Sequence, residues 1–194
     1  MWMWLLVPVG YLIGSVSAAI IICRCLRLPD PRDQGSGNPG ATNVLRYGGK
    51  AAAGLTLFAD LLKGAIPVVM GIALGASEEI VAVAGAAAFL GHLFPVFYGF
   101  KGGKGVSTGC GAFFGFNFFF GLSVFGSWVV LAKINRISSL SSVITAGLCP
   151  LYAYLFLEST AYVVASVFIS VGVLMTHRSN IQRLLAGEEK QIGS

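Results

Sequence analysis

Charge is what this 194-residue chain has least of: 13 basic and eight acidic residues make up 11% of it, against 56% hydrophobic residues. Together with a mean hydropathy of +0.80, that scarcity excludes a water-soluble domain and points to an all-α integral membrane protein. Carboxylates are too few and too scattered to form a cluster on the basic side of the protein, so a Mg²⁺ site and metal-dependent phosphotransfer are disfavoured. The two histidines, His92 and His177, form no H-E-x-x-H zinc pair, and no serine has an evident acid–base triad. No metal, cofactor or nucleic acid is expected. The four cysteines, Cys23, Cys25, Cys110 and Cys149, match neither zinc nor redox spacing and read as ordinary thiols.

What is present is a series of apolar runs, at roughly residues 4–23, 51–74, 80–98, 106–132, 140–157 and 160–175. The first lacks the basic leader of a secretory signal and is expected to be a retained helix. A simple count gives six spans within one domain, residues 1–194. Six spans put Lys133 and Arg136 across the membrane from Arg24, Arg46 and Lys104, against the positive-inside rule. The run 106–132 is long and interrupted by Gly115, Asn117 and Gly121, so it reads as two short central helices folded back on themselves. The expected architecture is then a seven-transmembrane-helix bundle with the N-terminus outside and the C-terminus cytoplasmic. Every Lys and Arg except Lys63 then falls at the inner side, while Glu78, Glu79 and Glu158 mark the outer loops.

Three polar islands share the inner face in this layout. Gly35-Ser36-Gly37-Asn38-Pro39-Gly40-Ala41-Thr42-Asn43 satisfies G-x-G-x-x-G, but it follows a membrane helix rather than a strand, so a dinucleotide site is rejected. Its glycines let backbone amides approach an anion, or simply make a flexible turn. Lys101-Gly102-Gly103-Lys104-Gly105 lacks the spacer of a Walker motif, yet two lysines before a helix start can grip phosphate; a snorkelling basic flank is the plainer reading. His177-Arg178-Ser179-Asn180 stands where the last span ends, ahead of a short interfacial helix. Arg46 offers a planar fork, and Ser138-Ser139-Leu140-Ser141-Ser142 adds hydroxyls nearby. Asp60 and Lys63, three residues apart on one helix face, are expected to pair, supporting the site indirectly. His92 is expected to pack helices through a hydrogen bond.

In order along the chain, the first island, Asp-Leu-Leu-Lys-Gly at 60–64, Gly-His-Leu-Phe-Pro-Val-Phe at 91–97, Phe-Lys-Gly-Gly-Lys-Gly-Val-Ser-Thr at 100–108 and His-Arg-Ser-Asn-Ile-Gln-Arg-Leu-Leu-Ala-Gly-Glu at 177–188 resemble the bacterial acyl-phosphate-dependent glycerol-3-phosphate acyltransferase family, PlsY. The resemblance runs end to end, with only Ser107 and Ser141 standing where small residues such as alanine are common. It implies a cytoplasmic (inner) membrane enzyme that moves an acyl group from acyl phosphate to glycerol 3-phosphate. The products would be lysophosphatidic acid and inorganic phosphate, the first acylation of phospholipid synthesis. The active site would face the cytoplasm, with functional coupling to the enzyme that makes acyl phosphate. It further implies catalytic roles for Ser36, Lys104 and His177, and substrate contacts from Gly37, Asn38, Gly40, Thr42, Asn43, Arg46, Lys101, Ser142 and Asn180.

The chemistry read from the residues agrees. An acyl phosphate already carries a good leaving group, so positive charge and alignment can supply most of the catalysis. No side chain is expected to be an obligatory base, because His177 has no orienting carboxylate in its motif and a substrate phosphate oxygen can take the proton. Phe97 and Gln182 stand five residues after the two histidines, where coenzyme A-dependent acyltransferases of the other signature carry aspartate. The rival from another class is an organic-phosphate membrane transporter, which internal repeats would favour; the glycine-rich islands show no inverted duplication.

Overall fold

The computed structural model of the protein describes residues 1–192, and every regular element among them is helical. Apolar runs in lipid must satisfy their backbone internally, and these do so as α1 (Leu6–Gly14), α2 (Ala18–Cys25), α3 (Ala41–Ala73), α4 (Glu78–Leu93), α5 (Val106–Phe116), α6 (Phe118–Asn135), α7 (Ser138–Phe156), α8 (Thr160–Thr176) and α9 (Arg178–Leu185). Among the described residues, four helices can cross a bilayer by length and composition, and counting two bent pairs as single spans gives up to six. Large apolar side chains such as Phe58, Val69, Phe119, Tyr154 and Val164 point outward, as lipid contact requires.

The first apolar run is not one straight helix. It breaks at Ser15–Ser17 with a bend of 43° between its two halves. The break frees the Val16 carbonyl, which accepts a hydrogen bond from Lys63 Nζ at 2.8 Å, while Ser15 Oγ donates back to the Tyr11 carbonyl at 2.8 Å. Gly49, at φ 77° and ψ 177°, likewise breaks α3. Only glycine adopts that geometry cheaply, and it lets the first turns of α3 leave the axis of the span behind them.

The interruption in the run 106–132 falls at Asn117, whose extended backbone ends α5 and whose Oδ1 caps α6 by accepting the Phe120 N–H at 3.1 Å. One of the two central helices differs from expectation. α5, with 11 residues, is short, but α6 reaches 18 residues and continues to Asn135, because the apolar run has no breaker after Gly121 strong enough to stop it. At about 1.5 Å per residue, α5 alone is roughly half as long as a bilayer core is thick.

That short helix is held by close packing. A Cβ on Gly64 would lie 2.0 Å from the Thr108 carbonyl oxygen, and one on Gly111 would lie 2.0 Å from that of Leu61. α3 and α5 therefore meet backbone to backbone, as small residues allow in membrane bundles. Phe89, Phe113, Phe116, Phe120 and Ile169 fill the core beside them. All four cysteines are free.

Candidate active site

Three loops that look unrelated in sequence are brought together by these breaks. The first island ends by starting α3 at Ala41, so Thr42, Asn43 and Arg46 are helical rather than in the loop. The lysine–glycine loop ends at Gly105, whose φ of 81° turns the chain into α5. α8 stops at Thr176, and α9 leaves at 56° to it, with His177 at the corner. All three line one cavity of about 570 Å³.

Ser36, Asn38, Gly40, Thr42, Asn43, Arg46, Lys104, Ser142, His177 and Asn180 all border this cavity. Gly37 and Lys101 do not: Gly37 is exposed at a left-handed turn, and Lys101 is exposed. Two further residues differ in role from free substrate ligands. Asn43 is buried, with Nδ2 donating to the Pro31 and Gln34 carbonyls at 2.9 Å each and Oδ1 accepting the Ser36 N–H at 2.9 Å. Its amide thus shapes the loop that presents Ser36. Ser142 Oγ accepts from Trp128 Nε1 at 3.0 Å and donates to the Ser138 carbonyl at 2.9 Å. Thr42 Oγ1 and Ser138 Oγ, 3.0 Å apart, join α3 to α7.

The cations are arranged as an anion site would be. Lys104 Nζ donates to Asn180 Oδ1, which leaves two of its three hydrogens for other acceptors. Arg46 Nε is buried without a hydrogen-bond partner among the described residues. Burial lowers the Lys104 pKa, an effect that Glu189 opposes and Arg183 and Arg46 reinforce. His177 Nδ1 lies 2.8 Å from the Val173 carbonyl, which can only accept, so Nδ1 carries the proton and Nε2 is the open acceptor. Burial pushes this imidazole down to about 4, with the Lys104 charge adding to the effect and the Val173 bond opposing it. His177 is therefore neutral at pH 7.

Three contributors escaped the sequence reading: Trp128, Arg183 and Glu189. After α9, Gly187 turns the chain at φ 73°, and the tail returns along the cavity. Burial would raise the Glu189 carboxyl, but bonds from Asn180 Nδ2, Ser139 Oγ (2.8 Å) and Arg183 Nε (2.7 Å) outweigh it and hold the group below its ordinary value. Ile192 N–H donates to the Arg136 carbonyl at 2.7 Å and ties the tail to the α6–α7 corner. The signal was a lone acidic pair after a basic helix, which reads equally well as a solvated end.

Away from the cations the cavity wall turns apolar, with Leu57, Leu61, Phe113, Val124, Phe125 and Ile169 between the helices. A polar mouth joined to an apolar cleft suits a molecule with an anionic head and an aliphatic chain. No group of three or more metal-ligating side chains occurs among the described residues.

Comparison with known proteins gives a consistent result. Residues 4–187 match the family model described as Glycerol-3-phosphate acyltransferase. A glycerol-3-phosphate acyltransferase of Thioalkalivibrio sulfidiphilus is 53% identical over 95% of this chain and 91% of its own length. One from Methylococcus capsulatus is 51% identical over 98% and 96%. The crystal structure of PlsY, an integral membrane glycerol 3-phosphate acyltransferase, in its glycerol 3-phosphate form superposes with a TM-score of 0.93 at 35% identity, covering 100% of this chain and 96% of that one. Its lysophosphatidic acid form gives 0.91 at 34% identity, covering 98% and 95%.

Proposed function

The chain belongs to the glycerol-3-phosphate acyltransferase family, as a multi-pass membrane protein, and from this premise we propose that it transfers an acyl group from acyl phosphate to the 1-hydroxyl of glycerol 3-phosphate. The observation that carries the reading is the convergence of Ser36, Arg46, Lys104, His177 and Asn180 on one cavity that continues into an apolar cleft. Two phosphate groups repel each other, and a guanidinium with an unpartnered Nε beside an ammonium with two open hydrogens offsets that repulsion.

In the proposed step the glycerol oxygen attacks the acyl carbonyl carbon, the bond from that carbon to the phosphate oxygen breaks, and the hydroxyl proton goes to the departing phosphate. Lys104 and Arg46 neutralise charge on the phosphates, and Ser36 and Asn180 donate hydrogen bonds. His177 Nε2 accepts a hydrogen bond from the neighbouring 2-hydroxyl of glycerol 3-phosphate and so orients the molecule, leaving the 1-hydroxyl proton free to pass to the phosphate. With a pKa near 4 the imidazole is a weaker base than a phosphate monoester, whose second pKa is about 6, which favours the substrate as proton acceptor. The product is 1-acylglycerol 3-phosphate with inorganic phosphate.

Charge asymmetry supports seven spans, now with α5 alone as the short one, the N-terminus outside, and the cavity open to the cytoplasm of a bacterial inner membrane, where an enzyme making acyl phosphate would be the functional partner. The test is phosphate release by purified protein given palmitoyl phosphate. Release that requires glycerol 3-phosphate, with palmitoyl-coenzyme A silent, is expected; turnover only from the thioester would overturn the donor.

A further inference from the structure

Asp60, Lys63, His92 and Thr108 form a buried polar cluster where α3, α4 and α5 meet. Lys63 Nζ lies 2.8 Å from Asp60 Oδ1, though its directed hydrogen bond goes to the Val16 carbonyl, and Asp60 Oδ1 keeps unfilled hydrogen-bonding capacity. His92 Nδ1 lies 3.2 Å from Thr108 Oγ1 and 3.6 Å from Asp60 Oδ1. Mutual neutralisation of two charges would need only Asp60 and Lys63. The histidine extends the cluster toward the site, and both it and Asp60 border the cavity.

The extension ends on the lysine–glycine loop. A Cβ on Gly103 would sit 2.1 Å from His92 Nε2, so the imidazole lies directly against that residue's backbone. Gly103 N–H also donates to the His92 carbonyl, and Gly102 N–H to that of Leu93, each at 3.1 Å. Lys104 follows immediately, and its carbonyl accepts from Thr176 Oγ1 at 3.1 Å. The loop is thus pinned on one side by the end of α4 and the His92 ring, and on the other by α8.

We propose that Asp60, Thr108 and His92 are positioning residues: the Thr108 hydroxyl, with the Asp60 charge behind it, orients the imidazole, the imidazole props Gly103, and that prop sets where the Lys104 ammonium stands in the cavity. The inference rests on the function proposed above. Lys63 serves Asp60 and the broken first span through its contacts to the Asp60 carboxylate and the Val16 carbonyl. A displaced ammonium weakens binding of the phosphate it faces while leaving the acyl donor's apolar cleft intact, which gives the proposal a kinetic signature that simple destabilisation lacks.

The experiment measures steady-state kinetics for both substrates, the glycerol 3-phosphate dissociation constant, and the thermal midpoint in detergent. In the charge-neutral Asp60→Asn/Lys63→Met double variant, KM and Kd for glycerol 3-phosphate should rise about tenfold, the loss of one well-placed charged contact. The acyl phosphate KM should stay at its wild-type value. Gly103→Ala, which lifts the loop without touching the ion pair, should reproduce that pattern, and Thr108→Val, nearly isosteric, should show it more weakly. A folded double variant with wild-type affinity for glycerol 3-phosphate would overturn the proposal. If that variant does not fold, Gly103→Ala and Thr108→Val decide: weakened affinity upholds the proposal and wild-type affinity overturns it. Wild-type protein that binds glycerol 3-phosphate but fails to turn over palmitoyl phosphate would refute the donor assignment instead, and the dissociation constants would still report on positioning.

Discussion

Lys101 and Lys104 are the same residue type in the same five-residue loop, so replacing each with alanine separates the effect of position from that of charge. Lys104 is half-buried, donates to Asn180 and borders the cavity, whereas Lys101 is exposed and does not line it. A charge-assisted hydrogen bond at a desolvated site is worth about 1.5–3 kcal/mol, so Lys104→Ala should lower kcat/KM for glycerol 3-phosphate by roughly 10- to 150-fold. A solvent-screened charge contributes about 0–1 kcal/mol, so Lys101→Ala should cost less than about fivefold. The assay is phosphate release at saturating palmitoyl phosphate with glycerol 3-phosphate varied, repeated at high salt, which should shrink only the Lys101 effect. Because burial lowers the Lys104 pKa, the wild-type KM should also climb at alkaline pH before an ordinary lysine would titrate, and Lys104→Arg should abolish that limb. Equal losses in the two alanine variants would refute the reasoning, since only distance from the cavity distinguishes them.

His177 is neutral in the folded protein down to about pH 4 but titrates near 6.5 when unfolded, so the unfolded chain binds the extra proton first as pH falls. Stability should therefore drop by about 3 kcal/mol between pH 6.5 and 4, and His177→Asn should remove that slope in thermal melts. If His177 orients glycerol 3-phosphate rather than deprotonating its 1-hydroxyl, the same variant will be slower without its rate becoming proportional to hydroxide; such proportionality would make it the base. Glu189→Gln leaves Arg183 without its ion pair and should cost about 1–3 kcal/mol of stability, read as a lower thermal midpoint in detergent. Gly111→Ala drives a methyl to within 2.0 Å of the Leu61 carbonyl oxygen, and the resulting overpacking should cost about 1–3 kcal/mol in the same melts.

Much of this molecule is legible without coordinates, because two strong physical signals coincide. The apolar runs locate the spans, and the Asp60–Lys63 spacing predicts an ion pair that forms at 2.8 Å. The break near Asn117 is visible for the same reason: a glycine and an amide cluster inside a run too long for one helix. What sequence does not reveal is which polar atoms are already used. Asn43 looks like a neutral donor for substrate, yet its amide holds the Ser36 loop. Glu189 looks like part of a solvated tail, yet Asn180, Ser139 and Arg183 all donate to it. Gly49 and the Ser15–Ser17 break are silent because single glycines and serines are common in membrane helices and only the tertiary path shows which of them bend. The prop of His92 on Gly103 is equally silent, being a contact across eleven residues and a turn.

The central claim is that these cations and the apolar cleft serve acyl transfer from a phosphate anhydride. Palmitoyl phosphate carrying oxygen-18 at the oxygen that bridges carbonyl carbon and phosphorus tests it most directly, with products analysed by mass spectrometry after turnover with glycerol 3-phosphate. The account predicts the label in inorganic phosphate and an unlabelled palmitoyl group on the 1-hydroxyl of glycerol 3-phosphate; label retained in free palmitate would mean that the phosphorus–oxygen bond is the one broken, and would contradict it.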